Sequence, residues 1–272
     1  MEDPKRDLFD LTGRVAVVTG AASGLGLAIS IGLSRRGAAV AAGDINEVGL
    51  RQTVASLQAS GRAIAVHVDV TDPSSIDAMF DRTTHELGPV DILVNCAFVP
   101  SPRVASEDTP LDAWERVLRV DLTGYFLCAQ AAGKRMIASG KGGSIINLSS
   151  ITGSSGIGRE LLGYGVAKSG INQLTRELAV EWARYKIRVN AILPCQILTP
   201  ALRSFMDDPA NDGQELLRTF LRGIPLGRLG TPEDVVGPVT FLASDAASMV
   251  TGVLLPVDGG NLAMNAGGTL RQ

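Results

Sequence analysis

Histidine and cysteine are scarce in this chain. Two His (His67 and His85) and three Cys (Cys96, Cys128 and Cys195) are spread over 272 residues. Such a set offers no His/Cys/carboxylate cluster for a metal ion and too few thiols for a disulfide framework. Free thiols belong in a reducing compartment, so a cytoplasmic protein is expected. Long apolar runs are lacking too, and no segment is expected to span a membrane. The N-terminal Met1-Glu2-Asp3-Pro4-Lys5-Arg6 is charged and has no apolar core, which argues against a signal peptide. There is no excess of positive charge either. Lys and Arg number 25 against 28 Asp and Glu, the net charge is −3, and the basic residues are scattered. That balance speaks against nucleic acid and against a membrane surface as partners. Aromatic residues make up only 4%, whereas glycine reaches 31 residues and the hydrophobic share is 45%. A chain of this length buries about three quarters of its unfolded surface without staples. Its many small residues suit a parallel sheet covered closely on both faces.

From residue 14 onward, apolar runs of strand length alternate with amphipathic stretches. Strands are expected at Arg14–Thr19, Ala38–Gly43, Ala63–Val68, Val90–Val94, Ser144–Leu148, Arg188–Ile192 and Val253–Val257. Helices are expected at about 24–36, 46–60, 73–87, 110–139, 163–185 and 232–243. Such alternation makes βαβ units, whose right-handed crossovers give a parallel sheet. Asp72-Pro73 and Thr231-Pro232 place proline at the first helical position behind a capping side chain, while Gly37 and Gly61 stand where helices should end. The stretch near 196–230 has mixed polarity and poor periodicity, and reads as an irregular lid over a site. Residues 1–11 form an N-terminal extension and residues 261–272 a tail. The stretch between, 12–260, is expected to be a single-domain, Rossmann-type α/β fold. Its core is a doubly wound parallel sheet of about seven strands with helices on both faces.

Directly after the first strand comes Thr19-Gly20-Ala21-Ala22-Ser23-Gly24-Leu25-Gly26, leading into a helix. Gly20 permits a sharp turn, Gly24 removes a side chain that would block a pyrophosphate, and Gly26 lets helix and strand pack closely. The helix N-terminus offers unpaired N–H groups to the phosphate charge. Gly20, Ser23, Gly24, Leu25 and Gly26 are therefore candidate cofactor contacts. The G-x-x-x-G-x-G spacing is one residue longer than the commoner dinucleotide fingerprint. Asp44 closes the second strand 18 residues after Gly26, where a carboxylate accepts from an adenosine ribose 2′-hydroxyl and repels a 2′-phosphate. NAD is thus expected over NADP. A second glycine-rich run, Thr152 to Gly158, has the wrong spacing and no following acid, and reads as a loop bordering a pocket.

Together with motifs further along, this chain resembles the classical short-chain dehydrogenase/reductase family from about residue 12 to residue 260. The further motifs are Asp69-Val70, Asn95-Cys96-Ala97-Phe98, Tyr164-Gly165-Val166-Ala167-Lys168, Pro194 to Thr199, and Pro225 through Gly260. The resemblance implies that Asp69 and Val70 contact an adenine ring and that Asn95 belongs to the cofactor site. It implies that Ile197 and Thr199 hold the nicotinamide carboxamide, and that the chain forms a homotetramer or homodimer. Helices at 110–139 and 163–185 would then pair across the interface, and the tail Asn265-Ala266-Gly267-Gly268 is a candidate for reaching a neighbouring subunit.

Tyr164 and Lys168 lie one helical turn apart on the same face. An isolated phenol titrates near ~10, too high for a base at neutral pH, and an adjacent ammonium favours the phenolate. Tyr164 would move the alcohol proton, and the resemblance implies that Lys168 also holds the nicotinamide ribose. Ser150 ends the fifth strand and would donate to the substrate oxygen. It precedes Tyr164 by 14 positions, one more than the family's commonest spacing, and Ser149 is the neighbouring alternative. Asp121 stands where the family usually has an active-site Asn, and reads either as part of a proton relay to Lys168 or as a structural residue at a helix kink. Phe98 and Cys195 replace glycines that usually flank the nicotinamide and substrate pocket. Cys96, Cys195 and His67 read as packing or structural residues rather than as reacting groups.

Three loops at the carboxyl edge each carry an arginine, namely Arg103, Arg159 and Arg203. They are candidate substrate residues, beside Phe98 and Cys195, for a small polar or anionic hydroxy compound such as a sugar acid or polyol derivative. The plainer alternative is that they are solvated. Competing functions are a 3-oxoacyl-(acyl-carrier) reductase, which Asp44 disfavours through its preference for NAD, and an NAD-binding sensor or scaffold.

Overall fold

The computed structural model describes residues 7–58 and 61–264. Seven strands form one all-parallel sheet: β1 (Val15–Thr19), β2 (Ala39–Asp44), β3 (Ala63–His67), β4 (Ile92–Asn95), β5 (Gly143–Leu148), β6 (Ile187–Pro194) and β7 (Leu254–Val257). Their order is β3-β2-β1-β4-β5-β6-β7. The chain winds outward from β1 in one direction and from β4 in the other. A crevice therefore opens between the carboxyl ends of these two strands.

Both faces of the sheet are covered, and successive strand residues serve opposite cores. Ala16, Val18, Val40, Ala42, Ile146 and Leu148 point to one apolar cluster. It is closed by Ile29 and Leu33 of α1 (Gly24–Arg35), Leu50 and Leu57 of α2 (Glu47–Gln58), and Val235 and Val239 of α9 (Pro232–Ala243). Val15, Val17, Ala41, Ile145 and Val189 point the other way. They meet Ile76 and Phe80 of α3 (Pro73–Glu86), Cys128 and Met136 of α5 (Gly124–Ser139), and Leu178 of α6 (Leu162–Trp182). Each large side chain so buried contributes about 1.5–3 kcal/mol.

Two expectations need correction. The helical stretch expected at 110–139 is not one α-helix. It runs as α4 (Leu111–Leu118), a π-helical turn over Arg119–Thr123, and α5. The extra residue per turn re-aims the side chains between the two helices, and Asp121 sits inside that turn. The segment near 196–230 is not irregular throughout. It contains α7 (Pro200–Asp207) and α8 (Gly213–Leu221), each opened by a capping side chain: Thr199 accepts from Leu202 N at 3.3 Å, and Asp212 from Glu215 N at 2.9 Å. Phe220 of α8 is buried, and Ile151, Cys195 and Ile224 form a small third cluster. The tail Asn265–Gly268 lies outside the described residues. No described helix is long and apolar enough to cross a membrane.

Cys128 lies wholly inside the second cluster, and burial pushes its thiol up to about 12 from an ordinary 9.0. Between those values the unfolded chain releases this proton and the native chain keeps it. The stability that the protonated thiol carries is therefore complete below pH 9 and is lost as pH rises, by about 1.4 kcal/mol per unit. Urea unfolding at about pH 8 and about pH 10.5 should show wild type losing roughly 2 kcal/mol more than Cys128→Ala. Equal losses in the two proteins would mean that the native thiol ionises normally.

Candidate functional site

The crevice widens into a cleft of about 450 Å³, walled by the carboxyl ends of the central strands and by α6, α7 and α8. At one end is the glycine turn. Gly20 has φ +69°, and a Cβ there would lie 2.7 Å from Ala97 Cα, so β1 and the β4 loop can approach only through a bare backbone. A Cβ on Gly26 would run into the Gly20 carbonyl oxygen. Gly24, at φ +54°, would bring a Cβ into ordinary contact with the Thr199 methyl at 3.8 Å. Ser23 stands at the N-cap of α1 without using its hydroxyl as a cap, and α1 has no acid in its first turn. The helix N-terminus therefore keeps its affinity for an anion. Asp44 closes β2 on the same cleft, where Oδ2 accepts from Ala22 N at 3.0 Å and Oδ1 from Asn46 N at 2.9 Å. One carboxylate thus pins the glycine turn to the tip of β2. A glycine cradle at a helix N-terminus, with an acid beside it, fits a dinucleotide.

Tyr164 and Lys168 stand one turn apart near the start of α6, and both line the cleft with Ser149 and Ser150. The two serines are used differently. Ser149 Oγ bonds Asn172 Oδ1 at 2.7 Å and lies 3.1 Å from the Lys168 carbonyl, so it holds α6 against β5. Ser150 Oγ accepts from Thr152 N at 3.2 Å within a short 3₁₀ turn, and its hydrogen bond to Tyr164 favours the phenolate. Burial outweighs that help and pushes the Tyr164 phenol up to about 12, with the Asp121 charge adding to the rise.

Lys168 is 2% exposed. Its Nζ donates to the Leu148 carbonyl at 3.0 Å and to Tyr125 Oη at 3.3 Å, and lies 5.4 Å from the centre of the Tyr164 ring. Asp121 Oδ2 is 3.9 Å away and has no hydrogen bond of its own, while Oδ1 accepts from Val99 N at 2.9 Å. Burial lowers the Lys168 ammonium and raises the Asp121 carboxyl, and each partly offsets the shift of the other. Tyr125, one turn after Asp121, is the residue that sequence reasoning missed. Its hydroxyl accepts from Lys168 and donates to the Leu148 carbonyl at 3.1 Å. The only signal for it was a tyrosine four positions from Asp121 on one helix face.

Leu25, Phe98, Arg103, Arg159, Cys195, Ile197 and Thr199 also line the cleft. Asp69, Val70, Asn95 and Arg203 do not. Asp69 accepts from Thr71 N and Oγ1, both at 2.8 Å, and shapes the turn before α3, with Val70 buried behind it. Asn95 is buried, donating to Asn147 Oδ1 at 3.0 Å and to the Tyr125 carbonyl at 3.2 Å, so it ties β4 to β5 and α5. Arg203 is exposed on α7. Cys96 and Cys195 are buried, and burial pushes their thiols up to about 12 and about 11, away from thiolate character. His67 is exposed at the end of β3.

With this geometry, comparison with known proteins is decisive. The sequence matches the family described as enoyl-(acyl carrier protein) reductase over residues 20–261. It is 43% identical to a cis-4-hydroxycyclohexanecarboxylate dehydrogenase of Sinomonas cyclohexanicum, over 92% of this chain and 97% of the relative. The chain belongs to the short-chain dehydrogenase/reductase family. A D-threitol dehydrogenase of Mycolicibacterium smegmatis is 39% identical over 93% of this chain and 94% of its own. Among solved structures, a short-chain type dehydrogenase/reductase from Mycobacterium marinum superposes with a TM-score of 0.86 at 34% identity, covering 95% of this chain and 98% of that one. As a family member, the protein is an oxidoreductase that works with a nicotinamide cofactor on a small-molecule alcohol or its carbonyl counterpart.

Tyr125→Phe deletes the hydroxyl that accepts from Lys168 and so destabilises the buried ammonium, which tests the expectation that this ammonium supports a Tyr164 phenolate. The alkaline limb of the pH–rate profile for alcohol oxidation should move up by about half a unit, with kcat falling several-fold. A lower Tm with an unmoved profile would reduce Tyr125 to a packing residue.

Proposed function

We propose that this protein is an NAD-dependent dehydrogenase of polar secondary alcohols, with Tyr164 as the proton-transfer group and Ser150 and Lys168 as its partners. The observation that carries the reading is the placement of Tyr164, Lys168 and Ser150 on one cleft with the glycine turn and Asp44. Bound nicotinamide supplies a hydride acceptor in oxidation and a donor in reduction. Gly20, Ser23, Gly24, Leu25, Gly26 and Asp44 would hold the nucleotide half, and Ile197 and Thr199 the carboxamide. Ser150 Oγ orients the substrate oxygen by donating to it, and Tyr164 Oη takes the hydroxyl proton. Lys168 holds positive charge beside the phenol and makes the phenolate accessible at lower pH. Asp121, through its proximity to Lys168, keeps that ammonium charged. The supporting relatives act, by name, on a hydroxy acid and on a polyol.

Asp44 is the ground for NAD over NADP, because its charge opposes a 2′-phosphate. The three cysteines are buried and free, which supports a reducing cytoplasm. Phe126 of α5 and Val166 and Val180 of α6 are exposed apolar residues on the helices expected to pair, which supports a homodimer or homotetramer. The acyl-carrier reading draws on the family description, and assay with 3-oxoacyl thioesters separates it.

Tyr164→Phe should lower kcat by ~10²–10⁴-fold while NAD affinity stays within a few-fold. Because the phenol starts high, wild-type alcohol oxidation should rise with pH through the alkaline range and ketone reduction should fall. Full turnover in Tyr164→Phe would remove that residue from the mechanism. Asp44→Ala should shrink the preference for NAD over NADP by about tenfold or more, and an unchanged preference would place the discrimination elsewhere.

A further inference from the structure

Two guanidinium groups face the cleft with nothing negative to hold them. Arg103, in the loop after β4, and Arg159, in the loop after β5, both line it. Neither guanidinium has a hydrogen-bond or ion-pair partner among the described residues. Arginines elsewhere do find carboxylates, as Arg135 does in Asp81 at 2.6 Å and Arg228 in Asp234 at 2.7 Å. Arg103 and Arg159 rest on phenyl rings instead. Arg103 Cζ is 4.2 Å from the Phe205 ring centre on α7, and Arg159 Cζ is 4.6 Å from that of Phe220 on α8. A guanidinium stacked by its face keeps its in-plane N–H groups free, and these form the fork that fits a planar carboxylate.

The two charges also act on each other. Burial, and after it the neighbouring Arg103, lower the Arg159 pKa from its ordinary value. Phe98, Ile157, Leu161 and Leu202 line the same cleft, so the half-buried Arg159 and the exposed Arg103 stand together beside an apolar wall. The wall suits a carbon frame, the arginines a carboxylate, and Tyr164 a hydroxyl.

We propose that Arg103 and Arg159 form an anion subsite that takes a hydroxy acid, its carboxylate between the two guanidinium groups and its hydroxyl toward Tyr164 and Ser150. This deepens the dehydrogenase reading above and rests on it. Arg203, exposed and off the cleft, has no part in the subsite. Since both rings beneath the arginines belong to α7 and α8, a bound carboxylate draws the β4 and β5 loops and the covering segment onto one ligand.

The test uses two non-reacting probes, cyclohexanecarboxylate and its neutral carboxamide, titrated calorimetrically into the full-length protein with saturating NAD. Wild type should bind the carboxylate roughly 10- to 100-fold more tightly than the carboxamide. Arg103→Ala and Arg159→Ala should each bring that ratio toward one. Arg159→Met, which keeps an apolar stem on Phe220, should do the same with the fold intact, and Arg159→Lys should retain part of the preference. Equal binding of the two probes, a carboxylate that does not bind, or a ratio unmoved in both alanine variants would overturn the subsite. NADH formation from a panel of hydroxy acids and neutral secondary alcohols is scored separately. Turnover without carboxylate preference defeats the subsite alone, whereas selective binding without any turnover upholds the subsite and defeats the dehydrogenase reading.

Discussion

The site depends on one buried ammonium. Lys168 has lost nearly all contact with solvent, and an isolated charge in that position costs several kcal/mol. Its surroundings are arranged to offset this. The end of β5 presents the Leu148 carbonyl, α5 presents the Tyr125 hydroxyl, and the π-helical turn brings the Asp121 carboxylate to 3.9 Å. With these partners the charge stays where it can act on Tyr164. Without them, burial would favour a neutral amine.

That constraint reaches into the fold. The π-helical turn replaces what would otherwise be a continuous helix, and Asp121 lies within it. Asn95, Asn147 and Thr175 form a buried hydrogen-bonded chain across β4, β5 and α6, locking the strand ends against the helix that carries Tyr164 and Lys168. Ser149 adds a second tie between β5 and α6. These buried hydrogen bonds fix the spacing of the elements they join, although Asn95 Oδ1 is left without a partner. The glycine turn meets the same demand for closeness by another route, since Gly20 and Gly26 allow backbone approaches that any side chain would block.

Much of the fold was legible because its signals are local. Alternation of apolar runs with helical periodicity located all seven strands, and Asp72-Pro73 and Thr231-Pro232 marked helix starts where α3 and α9 begin. Two features were misread. Periodicity runs smoothly from 110 to 139, and a single π-helical turn changes no composition that a reader could see. In the covering segment, Thr199-Pro200 carried the same start signal as Asp72-Pro73. The helices it introduces are only 8 and 9 residues long, too short for periodicity to stand out from their polar surroundings.

For the site, the sequence by itself determined the parts whose partners are neighbours in the chain: the glycine turn, the Tyr164–Lys168 spacing, and the hydroxyl at the end of β5. Tertiary structure alone decided which side chains share the cleft. Asp69 and Asn95 bond backbone and core and are not among the residues that line the cleft, while Tyr125, unmarked in the sequence, reaches Lys168. Of three arginines with equal standing in the sequence, Arg103 and Arg159 line the cleft and Arg203 does not. The reason is physical. Dihedral preferences and helical spacing act between residues a few positions apart, whereas desolvation and charge act through space between elements that only the folded sheet brings together.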